Sequence, residues 1–426
     1  MSKESPPGRN SWNFLEPDPV GTFTKLCNQI GAQSVQVEQI KLLDRDAIRD
    51  LRPIHGLIII IKHKLESFIS KDNSTTSINS SNNHIYFSNQ VVHDAYAMHA
   101  LLNVLLNNSN TIDIGSELHH FKTFTNDFTA MLKGLTLTNS HVFRQAHNSL
   151  SSRKSTNESN KEIYHSISYI KSDGYVWELD GLKRGPLKLG ACNDNNWLDV
   201  AHNEISKRCE MYQRQNLTVS LWAVIEDRKL VYQRKLIEKL YVKREIEYLL
   251  DTQQPDWRIS MNVSHWEEEY KHTMLHNERN KRGKMLFTQL LSYCKSFEQL
   301  PVEDQDMIHN FLRENSSEKK QDIMDTWLQV QDESLRLYEN LGIELEKQEI
   351  YEINHLKRKH DYMPFIQSFI QGLFDEGHLK NNASNHKEAT EKDKHRPKTK
   401  AEKKLEQQQH KLKKQAKAAE AKKGFE

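Results

Sequence analysis

The stretch His84–Asn107, HIYFSNQVVHDAYAMHALLNVLLN, decides how the rest of this chain is read. Ile85-Tyr86-Phe87 has the character of a strand and Ser88-Asn89-Gln90 that of a polar connection. A long apolar helix follows, in which Ala97, Ala100, Leu101, Val104 and Leu105 recur at three- and four-residue spacing. Asp94 stands where a short carboxylate caps a helix start by accepting from free amides of the first turn. A side chain just inside such a start sits where the peptide dipoles favour an anion, a good place to activate a thiolate. The residue there is Tyr96.

Working outward, Asp18 to Gly31 reads as a helix with Phe23, Leu26, Cys27 and Ile30 on one face and Gly31 closing it. Leu57-Ile58-Ile59-Ile60-Ile61 is a continuous β-branched run, the mark of a strand buried on both faces. Ser70–Asn83 is rich in Ser, Asn and Thr and reads as an exposed loop. After the central helix, Leu118, Phe121, Phe124, Phe128 and Met131 trace one face of a helix spanning 118–131. Ser149–Lys161 reads as a second flexible segment. The strands Tyr164–Lys171 and Tyr175–Leu179 are joined by Ser172-Asp173-Gly174. Val219–Ile225 and Leu230–Tyr232 suggest another hairpin. Helices mixed with antiparallel strands predict an α+β domain over residues 11–235, after a polar leader at 1–10. Residues 236–379 are almost wholly helix-forming, with a heptad-like stretch at Leu335–Leu345 and an apolar helix at Phe365–Leu373.

The bulk numbers fit several segments of unequal character. Of 426 residues only 36% are hydrophobic and 28% are charged, so part of the length is expected as exposed helix or tail. The net charge of +2 hides an asymmetry: Lys380–Glu426 carries 15 Lys/Arg against 7 Asp/Glu, or +8, which leaves −6 on the first 379 residues. Cys27, Cys192, Cys209 and Cys294 lie far apart with no CxxC spacing, which points to reduced thiols of an intracellular protein and not to a disulfide set or zinc site. The polar N-terminus has no signal-peptide pattern, and Leu57–Ile61 is too short to cross a bilayer. A membrane partner is therefore not expected. No cofactor or metal is implied.

His165 opens one strand and Asp180 ends the next, across a tight turn. Adjacent antiparallel strands can bring imidazole and carboxylate together as the base and orienter of a nucleophilic triad. Among 21 histidines and 58 acids, chance pairing competes with that reading. Gln90 can offer its amide to an oxyanion, or simply bond to nearby backbone. A nucleophile is harder to find, because no Ser or Thr lies in the first turns of the central helix and none of the four cysteines follows a Gln at short spacing before a buried helix.

Taken in order, the blocks EPDPVGTFTKL, QVEQI, LRPIHGLIIIIK, FSNQVVHDAYAMHALLNVLLN, GLTLTNSHVFRQAHNS and ELDGLKRGPLKLGACN, with the DRKLVY segment, resemble the ubiquitin C-terminal hydrolases over residues 12–235. INHLKRKHDYMPFIQSFI resembles the C-terminal helical domain of the larger, proteasome-associated members. The resemblance implies a papain-like α+β fold, a central antiparallel sheet flanked by helices, followed by an α-helical domain. It also implies that Gln90 is the oxyanion-hole glutamine, His165 the general base, Asp180 the orienting carboxylate, and Ser149–Lys161 the loop crossing over the site. The family nucleophile is a cysteine six residues after the glutamine, and that position is Tyr96.

A phenol with a pKa of about 10 is about one part in a thousand ionised at neutral pH. Its ring also carries the oxygen well beyond the place of a sulfur, into the channel expected to receive the Gly-Gly tail. Tyr96 is thus expected to fill the slot and donate its hydroxyl toward His165. The leading reading is a catalytically impaired family member that binds ubiquitin or acts as a scaffold in ubiquitin-dependent catabolism. The alternative is an active thiol-dependent hydrolase whose residue 96 is misreported or whose nucleophile is replaced by another group. The resemblance implies a proteasomal or chromatin-complex adaptor as second partner, through Tyr362-Met363-Pro364-Phe365, and a place in cytoplasm and nucleus. The basic tail at 380–426 reads as an import signal around Lys392–Lys404, a phosphate-binding segment or a solubilising tail. Its acids and its lack of aromatic residues before Phe425 argue against nucleic-acid stacking.

Overall fold

The structure, a computed structural model, describes residues 11–16, 21–40, 45–64, 84–151, 162–253, 255–265 and 320–378, with single positions at 268 and 306. The loop expected at 70–83, most of the segment expected at 149–161, and the basic tail lie outside the described residues. The chain divides into a unit ending at Lys359 and a second beginning at His360.

The first unit is built on a six-stranded antiparallel sheet in the order β1-β6-β2-β3-β4-β5. Its strands are β1 (Val35–Ile40), β2 (Ile54–Lys64), β3 (Glu162–Ser172), β4 (Tyr175–Asp180), β5 (Leu187–Ala191) and β6 (Thr218–Glu226). The isoleucine run lies in β2, between β6 and β3. Alternation sends Ile58 and Ile60 into one core and Leu57, Ile59 and Ile61 into the other, which is why the run carries no polar residue. One face is covered by α1 (Thr22–Gln29) and α3 (Tyr96–Leu105), the other by α2 (Arg45–Asp50) and α7 (Trp197–Arg214). This is the expected sheet flanked by helices. All ten residues of α3 are buried, so the helix is a core element and not a one-faced surface helix. Phe23, Leu26, Cys27 and Ile30 are buried as their spacing demands, and Gly31 ends the helix at φ 103°.

Four expectations are corrected. Ile85-Tyr86-Phe87 is buried but joins no strand ladder; the Tyr86 amide and carbonyl pair instead with the side chain of Asn107, at 2.8 Å each. Asp94 does not cap α3: residues His93–Ala95 form a 3-10 turn, and the helix starts at Tyr96 without a side-chain cap. The helix expected over 118–131 is two helices, α4 (Gly115–Phe124) and α5 (Ala130–Asn139). The chain breaks where the Thr125 hydroxyl turns back to the Phe121 carbonyl and Thr129 caps α5 through Leu132. Leu118 and Phe121 are buried, whereas Phe124 and Met131 are exposed. α6 (His141–Asn148) follows. Finally, Leu230–Tyr232 is not a strand, because β6 leads directly into α8 (Arg228–Gln253). Asp227 accepts from the Lys229 amide at 2.9 Å and Gln36 from the Arg228 amide at 2.9 Å, satisfying amides that a helix start leaves open.

α8 continues through residue 235 without a break and packs antiparallel on the 40-residue helix α9 (Lys320–Lys359). Leu236 meets Tyr338 and Leu341 at one end, and Ile246 and Leu250 meet Ile323 and Trp327 at the other. α9 is also tied to the sheet unit: Lys347 reaches Glu38 at 2.6 Å, Lys25 reaches Glu352 at 2.7 Å, and Tyr351 packs over Gly21. The second unit contains α10 (Met363–Asp375), with Pro364 in its first turn.

Candidate active site

The β3–β4 hairpin turns through Asp173 (φ 49°) and Gly174 (φ 74°), a loop one residue shorter than the expected Ser172-Asp173-Gly174 because Ser172 pairs with Tyr175. Its register sets Ile167 opposite Asp180, so His165, two residues back, is the diagonal neighbour of Asp180 on the same face. His165 Nε2 lies 3.0 Å from Asp180 Oδ1, and both side chains are almost fully buried. Burial pushes the Asp180 carboxyl up, but the charge and hydrogen bond of His165, with Lys183 and the Leu182 amide, outweigh it and hold the group below the usual carboxylate range. The other ring nitrogen, Nδ1, is buried with no hydrogen-bond partner among the described residues.

The pair rests on a buried ion cluster. Glu178, fully buried on β4, takes Lys183 and Arg208 at 2.6 Å each, and Tyr169 donates to its other oxygen at 3.3 Å. Lys183 lies 3.9 Å from Asp180 as well.

The remaining two residues are delivered one position past each member of the pair. The Ser166 hydroxyl, next to His165, donates to the Tyr96 carbonyl at 3.0 Å, and Ser168 donates to the Ala100 carbonyl at 3.0 Å. Two serines thus staple α3 to β3. The Gln90 amide donates to the carbonyl of Gly181, next to Asp180, at 2.9 Å. Asn89 reinforces this join by donating to the Gly181 and Lys183 carbonyls. Sequence reasoning did not single out Ser166, Ser168 or Asn89. The visible signal was polar residues at alternate positions of a strand that is otherwise apolar.

Gln90, His165, Asp180 and the backbone of Tyr96 therefore converge, but the Tyr96 side chain does not behave as expected. Its hydroxyl donates to the Leu15 carbonyl at 2.6 Å, and not to His165. The ring is fully buried and stacks on Tyr164 at 5.5 Å, and Tyr164 in turn packs on Phe14 at 5.2 Å. Burial, with Tyr164, Glu16 and Asp94 adding to it, drives the phenol well above its usual pKa, so the hydroxyl stays protonated. Gln90 donates its side-chain amide to the His93 carbonyl at 3.3 Å, a local backbone bond of the plainer kind. The three thiols among the described residues are no better suited to attack. Burial pushes the Cys27 thiol up to about 12 and also raises Cys192 and Cys209. Among the described residues no group of His, Cys, Asp and Glu is arranged to hold a metal, and no helix is long and apolar enough to cross a membrane.

A helix start set against an antiparallel sheet, with a buried His–Asp pair on neighbouring strands, is the framework of the papain-like thiol hydrolases. Residues 12–210 match the family described as ubiquitin carboxyl-terminal hydrolase, family 1, and residues 336–379 match a second description, ubiquitin carboxyl-terminal hydrolases. Ubiquitin carboxyl-terminal hydrolase isozyme L5 of Dictyostelium discoideum is 39% identical over 245 residues, spanning 56% of this chain and 69% of that one. Ubiquitin carboxyl-terminal hydrolase 2 of Schizosaccharomyces pombe is 34% identical over 228 residues, 51% of this chain and 74% of its own. The chain belongs to the ubiquitin carboxyl-terminal hydrolase family. Among solved structures, Trichinella spiralis UCH37 bound to ubiquitin vinyl methyl ester is 31% identical, covers 60% of this chain and 96% of its own, and superposes with a TM-score of 0.44.

Proposed function

We propose that this chain is a ubiquitin-binding member of its family that has lost peptidase activity. In this reading Gln90, His165 and Asp180 occupy the family's oxyanion, base and orienter positions, and Tyr96 the nucleophile position. The observation that carries the reading is the state of Tyr96: a protonated phenol, buried and hydrogen-bonded to Leu15, at the place where a thiolate is required. Ubiquitin as partner is supported by the match over residues 12–210 and by the 31% sequence identity to the Trichinella relative, which is bound to ubiquitin vinyl methyl ester. Titration with labelled ubiquitin tests the reading. Saturable binding with no hydrolysis of a C-terminal ubiquitin ester or amide is expected; turnover, or no binding up to about millimolar ubiquitin (a Kd of that order is only ~4 kcal/mol), contradicts it.

The same reading gives the C-terminal unit the part of an adaptor dock at the proteasome or in a chromatin complex, with the protein in cytoplasm and nucleus. Its support is the match over 336–379 and the apolar surface of α10, where Phe365, Ile366, Phe369, Ile370 and Phe374 are all exposed. Phe365→Ser together with Phe369→Ser is expected to release the protein from such a complex while leaving ubiquitin binding unchanged; retention of the double variant in the complex contradicts the assignment.

A further inference from the structure

We propose that recognition by this chain is blind to the ubiquitin C-terminus: it takes the folded body of ubiquitin and leaves the end of the tail outside the site. The proposal rests on the ubiquitin-binding reading and adds which part of the partner is recognised.

An enzyme that cuts at the ubiquitin C-terminus must bring the last carbonyl carbon to about 3–3.5 Å from the attacking atom, just beyond the Cβ of the nucleophile position. Here that volume holds the Tyr96 ring, which is fixed at both ends. Its backbone is tied by Ser166 and its hydroxyl by Leu15. Leu15 belongs to a segment that is itself stitched down: Trp12 donates to the Thr138 carbonyl at 2.9 Å, and the Asn13 amide to Asn148 Oδ1 at 2.8 Å. Asn148 donates back to the Ser11 carbonyl at 2.8 Å. Swinging the ring aside parts the stack with Tyr164 and strands the Leu15 carbonyl in an apolar setting, and an unpaired buried acceptor is costly. Of the two N–H groups of the Gln90 side-chain amide, one is held by the His93 carbonyl. A tail therefore meets no space at the nucleophile position. Recognition then depends on contacts with the ubiquitin fold, and ubiquitin already joined to another protein is as good a partner as free ubiquitin.

The test is a titration of the full chain with intact ubiquitin, with ubiquitin lacking its last two residues, and with ubiquitin extended by a peptide at its C-terminus. Kd values agreeing within about two-fold are expected, and a loss of about ten-fold or more on shortening or blocking the tail overturns the proposal. Failure of all three forms to bind overturns the ubiquitin-binding reading itself and the proposal with it, a result distinct from tail dependence. Tyr96→Gly is expected to open the slot and create a preference of about ten-fold for intact over shortened ubiquitin. A folded Tyr96→Gly variant that still binds the two forms equally would show that the ring is not what excludes the tail, and would also overturn the proposal.

Discussion

In one half of the site His165 and Asp180 pair at 3.0 Å above the Glu178–Lys183–Arg208 cluster, so the polar groups of side chains meet one another. In the other half, the Tyr96 hydroxyl donates to the Leu15 carbonyl and one N–H of the Gln90 side chain to the His93 carbonyl. The difference teaches that packing and structural hydrogen bonds hold a His–Asp pair in place whatever side chain stands at position 96. The paired half is part of the sheet, on β3 and β4. In the other half a buried tyrosine is held by the Leu15 carbonyl and by the Tyr164 ring, so the His–Asp pair says nothing by itself about turnover.

That contrast can be broken by substitutions of graded effect. Glu178→Ala should be the most damaging, because it leaves Lys183 and Arg208 without their buried partner; a loss of about 3–5 kcal/mol is expected in urea unfolding. A loss below about 1 kcal/mol, the worth of a surface pair, would mean the paired half is not held in place by the sheet interior.

Acid should weaken the closed half first. Burial holds His147, which packs edge-on against Trp12 at 5.0 Å, down at about 4, and His99 of α3 down at about 3. The unfolded chain, with ordinary histidines near 6.5, binds protons these sites refuse, so stability falls as pH drops from 6.5 toward 4. At pH 5 the cost is about 2 kcal/mol for each histidine. Asp180, held low by His165, gives up its contribution only below the ordinary carboxylate range. Urea midpoints at pH 7.5 and 5.0 check the sign; equal midpoints would contradict the burial of neutral imidazoles. Tyr96→Phe should be milder, about 1–3 kcal/mol for a stranded Leu15 carbonyl, with faster proteolysis near residues 11–16. Lys25→Ala removes only the exposed pair to Glu352 and should cost less than about 1 kcal/mol.

What the sequence made legible follows the range of the forces involved. The β2 run was readable because a strand buried on both faces needs no polar alternation, and the His–Asp pairing because the tight turn around Asp173-Gly174 makes its strands neighbours, although the loop is one residue shorter than the sequence suggests. The partner of the Tyr96 hydroxyl was not readable: Leu15 lies 81 residues away in a segment with no periodic pattern. Leu230–Tyr232 misled because three apolar residues in a row fit a strand or a buried helical turn, and only the Asp227 and Gln36 contacts at the helix start separate them. Tyr86 reads as strand by type, yet a single Asn107 side chain meets both of its backbone groups and no neighbouring strand is needed.

The measurement that tests the central claim most directly is reaction of the purified protein with a ubiquitin probe bearing a C-terminal electrophile, beside its Tyr96→Cys variant. No adduct is expected on the natural chain. The variant is expected to form one at residue 96, because His165 Nδ1 has no partner among the described residues and can receive the thiol proton. An adduct on the natural chain would mean that another residue attacks, and would contradict the claim that Tyr96 closes this site.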